Sequence, residues 1–159
     1  MSNLIYLTVK GQNQGLISAG CGRRDSIGIK AQNGHEDKIF VYSLQHLMTR
    51  KQNVSHHPVI ITKPIDKASP LLAKSLDDNE RLECFLESYR TSENGGLELY
   101  YTIRLGQAYI VSLKSDHPHS LTSNHMMPQE ILSIVYANIT WNNVACSTST
   151  YSIWDERVF

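Results

Sequence analysis

A chain of 159 residues, 41% of them hydrophobic, is expected to fold as one domain with a core of its own. Its 15 basic and 15 acidic residues cancel, so no net field recruits nucleic acid or an anionic membrane surface. No stretch approaches the ~18 consecutive apolar residues of a membrane-spanning helix.

The opening Met-Ser-Asn-Leu-Ile-Tyr lacks the charged and apolar regions of a signal peptide. Synthesis and assembly in the cytoplasm are therefore expected, and any export must follow another route. Cys21, Cys84 and Cys146 are an odd number without zinc-like spacing, which predicts reduced, structural thiols.

Leu4 to Val9 reads as a first strand, ended by Gly11. Residues 12–34 carry Gly15, Gly20, Gly22, Gly28 and Gly34 among Asn, Gln and Ser. That density predicts turns and bends rather than a helix, with Ile27 and Ile29 alternating as a short strand. The region lacks both Gly-x-Gly-x-x-Gly and a P-loop lysine, which argues against a phosphate cradle. Asp37 to Leu44 is a second strand. Ile39, Val41 and Ser43 share one face, and Phe40, Tyr42 and Leu44 the other. Gln45 to His57 then turns polar between two apolar strands, as a long loop or an extended hairpin. Long loops in compact domains are usually functional.

Val59 to Thr62 is β-branched throughout and predicts a strand. Pro64 lacks an N–H and suits a strand end or edge. Ser69 followed by Pro70 reads as an N-cap and first helical residue. Ala68, Leu72 and Leu76 give the short helix one apolar side, and Asp77-Asp78-Asn79 stops it. Arg81 to Thr91 is a strand with Leu82, Cys84 and Leu86 on one face, and Asn94-Gly95-Gly96 is a hairpin turn. The cleanest alternation follows: Leu97, Leu99, Tyr101, Ile103 and Leu105 against Glu98, Tyr100, Thr102 and Arg104. Gly106 marks a bulge or bend, and Ala108 to Leu113 resumes the strand.

Ser115 to Gln129 is a second polar loop. Pro128-Gln129-Glu130 is compatible with a helix start, but the β-branched content beyond it favours a strand. Ile131, Val135, Ile139 and Trp141 are placed on one face of that strand. Asn142-Asn143 begins a turn and Thr150 to Trp154 closes the domain. About eight short strands and one helix predict a mainly β fold: an antiparallel barrel of two packed sheets with one short α-helix. No repeat or linker divides it.

Thr62-Lys63-Pro64-Ile65-Asp66-Lys67-Ala68-Ser69-Pro70-Leu71-Leu72 closely resembles the signature of the haemolysin-coregulated protein (Hcp) family, the tube protein of type VI secretion. That signature runs as a lysine, an aliphatic-Asp-Lys, a small residue, Ser or Thr, Pro and leucines. Three further segments are similar to the family in the right order: His35-Glu36-Asp37-Lys38-Ile39-Phe40-Val41-Tyr42-Ser43, Tyr136-Ala137-Asn138-Ile139-Thr140-Trp141 and Tyr151-Ser152-Ile153-Trp154-Asp155. Together they span nearly the whole chain. Ala68 departs from the pattern, since many relatives carry serine there.

The resemblance implies a barrel with a single helix against it. It implies a non-enzymatic subunit, without cofactor or metal, that forms hexameric rings. Such rings stack into a hollow tube inside a contractile sheath, above a baseplate and capped by a spike, and are expelled into a neighbouring cell with effector cargo. Secretion would then follow the type VI route without a signal peptide. The chain ends shortly after Ile153, so a tube and carrier without an appended toxin domain is expected.

Lys63, Pro64, Asp66, Lys67, Ser69 and Pro70 form the signature turn and helix cap, with Asp66 and Lys67 expected in local hydrogen bonds or a subunit contact. In the family the loop at Gln45 to His57 reaches the next ring. Gln45, His46, Arg50, Lys51, Gln52 and Asn53 are therefore the candidate stacking residues, facing Asp77, Asp78 or Glu80.

Other constellations are weaker. His56 and His57 are adjacent on a strand and point to opposite faces. His117, His119 and His125, with Asp116, lie in a proline-containing loop, and nothing matches His-Glu-x-x-His or paired Cys-x-x-Cys. Solvated loop histidines are expected. The alternative is a monomeric β-barrel hydrolase using His117, His119 and His125 on a metal, or a ligand-binding barrel. Ser69 with a neighbouring lysine could be drawn as a nucleophile and base, but no histidine is near in sequence, and capping explains it better. The aromatics Tyr100, Tyr101, Tyr109, Tyr136, Trp141 and Trp154 lack interleaved basic residues, so core or subunit interface is expected rather than base stacking.

Overall fold

The structure is a computed structural model that describes residues 3–32 and 34–154. Met1-Ser2, Asn33, Asp155 of the last resemblance segment, and the Ile29 side chain lie outside the described residues.

Among the described residues the strands are β1 (Leu4–Gly11), β2 (Gly15–Leu16), β3 (Ile39–Val41), β4 (Ser43–Gln45), β5 (Met48–Arg50), β6 (Val54–His56), β7 (Val59–Pro64), β8 (Leu82–Thr91), β9 (Leu97–Asp116), β10 (Gln129–Val135), β11 (Asn138–Asn143) and β12 (Thr148–Ile153). The helices are α1 (Arg24–Ile27), followed by a 3₁₀ turn at Gly28–Lys30, and α2 (Ser69–Asp77). The fold is mainly β and its ladders are antiparallel, as expected.

The 20-residue strand β9 is the spine. Its first half pairs with β8 through the hairpin at Asn94–Gly96, where Gly95 takes φ 88°. Its other edge carries β11 beside residues 101–106 and β10 beside residues 109–116. The order then runs from β8 to β1 and β2 on one side, and from β10 to β7 and β4 on the other. Gly106 is indeed a bulge. The β8–β9 register slips there, with Cys84 opposite Leu105 but Leu82 opposite Ala108. Gln107 takes φ 48°, and a Cβ at Gly106 would collide with the Asn138 side chain.

Two expected strands are broken, and both breaks change sheet partners. The strand at 37–44 divides at Tyr42: β3 pairs with β1, whereas β4 pairs with β7 and Tyr42 N–H donates to the Thr62 carbonyl at 2.7 Å. The two flanks of the sheet thus meet on a kinked segment, and the barrel is not closed by one continuous ladder. The strand at 131–141 divides at Tyr136–Ala137, where β10, paired with β7, gives way to β11, paired with β12. Ile131, Val135 and Ile139, expected on one face, do not share one environment, since Ile139 is buried. Glu130, Leu132 and Ile134 are buried while Ile131 and Val135 are half-buried. Both faces carry β-branched residues, so alternation alone did not say which was inside.

The glycine-rich region holds a helix after all. Arg24–Ile27 makes one turn, closed by the Ile27 N–H to Arg23 carbonyl bond at 3.0 Å, and ends at Gly28 with φ 65°. The strand expected at Ile27 is absent. A single turn carries too few residues to show a helical period.

The core is continuous: Leu7, Val9, Ile39, Val41, Val59, Ile61, Leu82, Cys84, Leu86, Leu105, Leu132 and Ile139 are buried. Helix α2 lies against β9, presenting Ala68 and Leu72 to this core with Leu76 beside them. Burying a leucine of this kind stabilises the fold by ~1.5–3 kcal/mol.

Candidate functional site

The signature corner is organised around one buried lysine. Along β7 the inward positions are Val59, Ile61 and Lys63, so strand parity turns the Lys63 side chain into the domain, where it is 0% exposed. Its Nζ donates to Glu130 Oε1 at 2.8 Å, Asp66 Oδ1 at 3.0 Å and the Pro64 carbonyl at 2.9 Å. With a longer bond to Ser69 Oγ at 3.3 Å, these contacts engage all three ammonium protons. Glu130 stands directly opposite Lys63 in the β7–β10 ladder. Sequence reasoning missed Glu130; the available signal was a carboxylate in register with Leu132 and Ile134.

Ser69 does not cap the helix as expected. Its Oγ accepts from the Asp66 N–H at 3.0 Å and donates to Glu130 in a short hydrogen bond. The N-cap position is Ala68, which offers no side-chain cap, and Asp66 Oδ1 accepts from the Ala68 N–H at 3.0 Å. The cap therefore falls one residue before the serine of the Ser-Pro dipeptide. The Asp66 N–H is held by Ser69 Oγ, while the Ser69 N–H donates to the Asp66 carbonyl at 3.1 Å, which closes the turn. Pro70 still lies in the first helical turn.

Asp66 Oδ2 is buried without a hydrogen-bond partner. Burial raises the Asp66 carboxyl above its ordinary range, opposed by Lys63. Cys21 lies nearby, its thiol pushed up to about 12 by burial and by the Asp66 charge. Cys84 is likewise pushed up to about 12 by burial, and Cys146 is exposed in the β11–β12 turn. Lys67 is exposed, and its backbone N–H donates to Ser26 Oγ at 2.9 Å, tying the corner to α1. The Ser69–Lys63 separation of 3.3 Å resembles a nucleophile with its base. However, the lysine's protons are committed and the serine proton goes to Glu130, so the arrangement fixes the strand-turn-helix corner.

The segment from Gln45 to His57 is an extended hairpin. β5 and β6 pair only with each other, as a separate two-stranded sheet. Gln45 ends β4, and Arg50, Lys51 and Gln52 are exposed around the tip, with Asn53 half-buried. His56 is not a solvated loop histidine: it is 8% exposed. His46 Nε2 and His56 Nδ1 lie 2.7 and 2.8 Å from the same Tyr136 hydroxyl, and His56 Nε2 lies 2.9 Å from Ser152 Oγ. The His56 ring stacks on Trp154. Burial lowers the pKa of both imidazoles and raises that of Tyr136. His57 turns the other way, to Thr49 Oγ1 at 3.2 Å.

Of the acidic groups proposed to face the hairpin tip, Asp77 and Asp78 are exposed, with Asp78 paired to Lys74 at 2.9 Å. Glu80 is withdrawn from that set because it is buried. Its Oε2 accepts from Asn13 and Gln14 N–H groups at 2.8 and 2.9 Å, and Oε1 from Gln14 Nε2 at 2.7 Å. Burial alone would raise its carboxyl, but the bonds from Gln14 and Asn13 outweigh that and hold it below the ordinary range.

His117, His119 and His125 are exposed in the segment after β9, where His119 Nδ1 accepts from the Leu121 and Thr122 N–H groups. Among the described residues no group of three or more His, Cys, Asp or Glu is placed to hold a metal ion.

Residues 6–142 match the family model described as "Type VI secretion system effector, Hcp". The chain is 36% identical over 171 aligned residues to the major exported protein of Pseudomonas aeruginosa, covering 99% of both. It is 37% identical over 149 residues to the uncharacterised protein YhhZ of Escherichia coli (strain K12), covering 93% of this chain but spanning only 37% of that protein's length. A crystal structure of an Hcp protein superposes with a TM-score of 0.91 at 30% identity, over 98% of this chain and all of that one. The lysine-centred corner, the hairpin and the barrel therefore sit in a chain that belongs to the Hcp family of type VI secretion proteins.

Proposed function

We propose that the chain is the structural subunit of a type VI secretion tube. It closes into hexameric rings that stack, are expelled through the sheath, spike and baseplate assembly, and carry effectors in the lumen. It is assembled in the cytoplasm and exported by the type VI route, with no catalytic role.

The observation that supports this best is a pair of exposed apolar surfaces, one beside the middle of the spine and the other beyond its far end. Tyr151 and Ile153, 70% and 54% exposed, lie on β12, whose ladder joins β11 beside residues 101–106 of β9. Leu121, Met126 and Met127, 87%, 51% and 59% exposed, follow the far end of β9. Ten residues of strand separate Gly106 from Asp116, or roughly 33 Å. A cyclic ring needs such a heterologous pair of surfaces, because each subunit meets its two neighbours through different faces. The hairpin tip at Arg50, Lys51 and Gln52 supplies the contact to the next ring, against Asp77 and Asp78.

The test is the mass of the native assembly by light scattering. A particle near six times 18.0 kDa is expected; a monomer at micromolar concentration would refute the ring.

A further inference from the structure

The hairpin of β5 and β6 shares no ladder with the main sheet. Among the described residues, every side-chain hydrogen bond from residues 46–57 to the rest of the domain passes through His46 or His56. Two of these converge on the single hydroxyl of Tyr136, at the junction of β10 and β11, and the third reaches Ser152 on β12.

A phenol hydroxyl has one proton. Of the two imidazole nitrogens at that oxygen, one must accept and the other must donate. With both rings neutral this is satisfied, and Ser152 Oγ donates or accepts to match. One added proton is also accommodated, because a cationic ring serves as the donor. A second is not. Both nitrogens then carry hydrogen, the tyrosine proton loses its acceptor, and two cations face each other across one oxygen.

We infer that the His46–Tyr136–His56 bridge is an acid-released latch, which holds the hairpin to the barrel at neutral pH and lets it go when both rings are protonated. The surroundings favour release. The groups facing the two rings are His57 from the hairpin, Tyr136 and Trp141 from the β10–β11 strand pair, and Ser152 and Trp154 from β12 and its exit. Among the described residues no carboxylate is paired with either ring. Burial and the neighbouring imidazoles lower the pKa of His46; burial lowers that of His56, against a hydrogen bond to the Ile153 backbone that raises it and with a smaller lowering by His57. Ring stacking would become acid-labile as a consequence; that step alone rests on reading the hairpin as the ring contact.

Hydrogen exchange reads the latch whether or not rings stack. Amide protection of peptides within 45–57, relative to intrinsic rates, is measured at pH 8 and pH 5 and compared with β8 and β9. Wild type should lose about tenfold protection in the hairpin at pH 5 while β8 and β9 hold, the size expected for about one net hydrogen bond. His46→Gln, whose amide oxygen accepts from Tyr136 without titrating, should keep its protection at pH 5. Tyr136→Phe should show the same reduced protection at both pH values.

The two tryptophans give a second signal. The chain has only Trp141 and Trp154, and each lies against one of these histidines, at ring separations of 6.2 and 5.7 Å. A cationic imidazole quenches indole emission, so the emission of the wild type should fall on acidification, and that of His46→Gln should fall less. Hairpin protection independent of pH in the wild type, or the same pH dependence in His46→Gln, would overturn the latch. So would opening of β8 and β9 together with the hairpin. Normal latching with tubes stable at pH 5 would instead remove the hairpin from the stacking contact.

Discussion

The lysine at the signature corner is the place where a single substitution should matter most. Lys63→Met keeps the length and apolar stem of the side chain but removes the ammonium. Asp66 and Glu130 would remain as two carboxylates, with side chains 0% and 3% exposed and no counter-ion between them. Removing one partner from a buried ion pair typically costs ~3–5 kcal/mol, a large part of the ~5–15 kcal/mol that holds a domain together. At ~2–4 °C per kcal/mol for a chain of this size, the midpoint should fall by about 6–20 °C.

Asp66→Asn is the control. The cluster holds one ammonium and two carboxylates, so removing one negative charge leaves a balanced pair. The amide oxygen can still accept from Ala68 and Lys63, and the atom replaced is the one without a partner. Its loss should stay within ~1 kcal/mol. Urea unfolding at one fixed protein concentration is the assay, because assembly would make the midpoint concentration-dependent. If Lys63→Met lost less than ~1 kcal/mol, or Asp66→Asn lost as much as Lys63→Met, charge balance would not be what the corner depends on.

Three further outcomes follow from the same geometry. Asp66 is raised above its ordinary value of 3.8, so its protonated form is favoured by the fold. Its contribution to stability should be fully present below that value and decline as pH rises through the folded one, a slope that Asp66→Asn abolishes; matching pH profiles for the two proteins would count against it. Gly22 donates its N–H to the Glu36 carbonyl at 2.9 Å, and an added Cβ would strike the His35 carbonyl, so Gly22→Ala should lose about 1–3 kcal/mol in the same urea experiment. Arg50→Glu with Lys51→Glu should leave single rings intact by sizing chromatography but weaken tube growth and secretion. Individual rim charges contribute little, but stacked rings repeat each contact around the tube; a shift to monomers would instead place the hairpin in the lateral interface.

Much of this domain was legible from residue order because its signals are local. The alternation from Leu97 to Leu105, the Asn94-Gly95-Gly96 turn and the apolar side of Ala68, Leu72 and Leu76 each depend on neighbours within a turn or a strand pair. The turn and the helix side stand in the structure as read, whereas the alternation is interrupted by a register slip opposite Ser88–Tyr89 that leaves Leu97 exposed and Thr102 buried. The Gly106 bulge is in the same class, since a glycine weakens a strong alternating strand unless a bulge or a close backbone approach makes use of it. The four ordered segments of resemblance are local too: each is a short run of residues, and their described parts fall largely in strands and in the corner.

What sequence could not supply is set by distance along the chain. Glu130 meets Lys63 across 67 positions, and Tyr136 joins His46 and His56 across 90 and 80. Ser69 was read as a cap because Ser-Pro is a local pattern. Only when β10 brings Glu130 alongside β7 does that hydroxyl acquire a different acceptor, and the N-cap position falls to Ala68. Likewise, the partner changes at Tyr42 and Tyr136–Ala137 happen where one strand runs out and another edge begins, and neither residue's own side chain announces it. Alternation along a strand says that its two faces differ. Which face is buried, and which buried charges meet there, depends on pairing register, and register is a property of the assembled sheet.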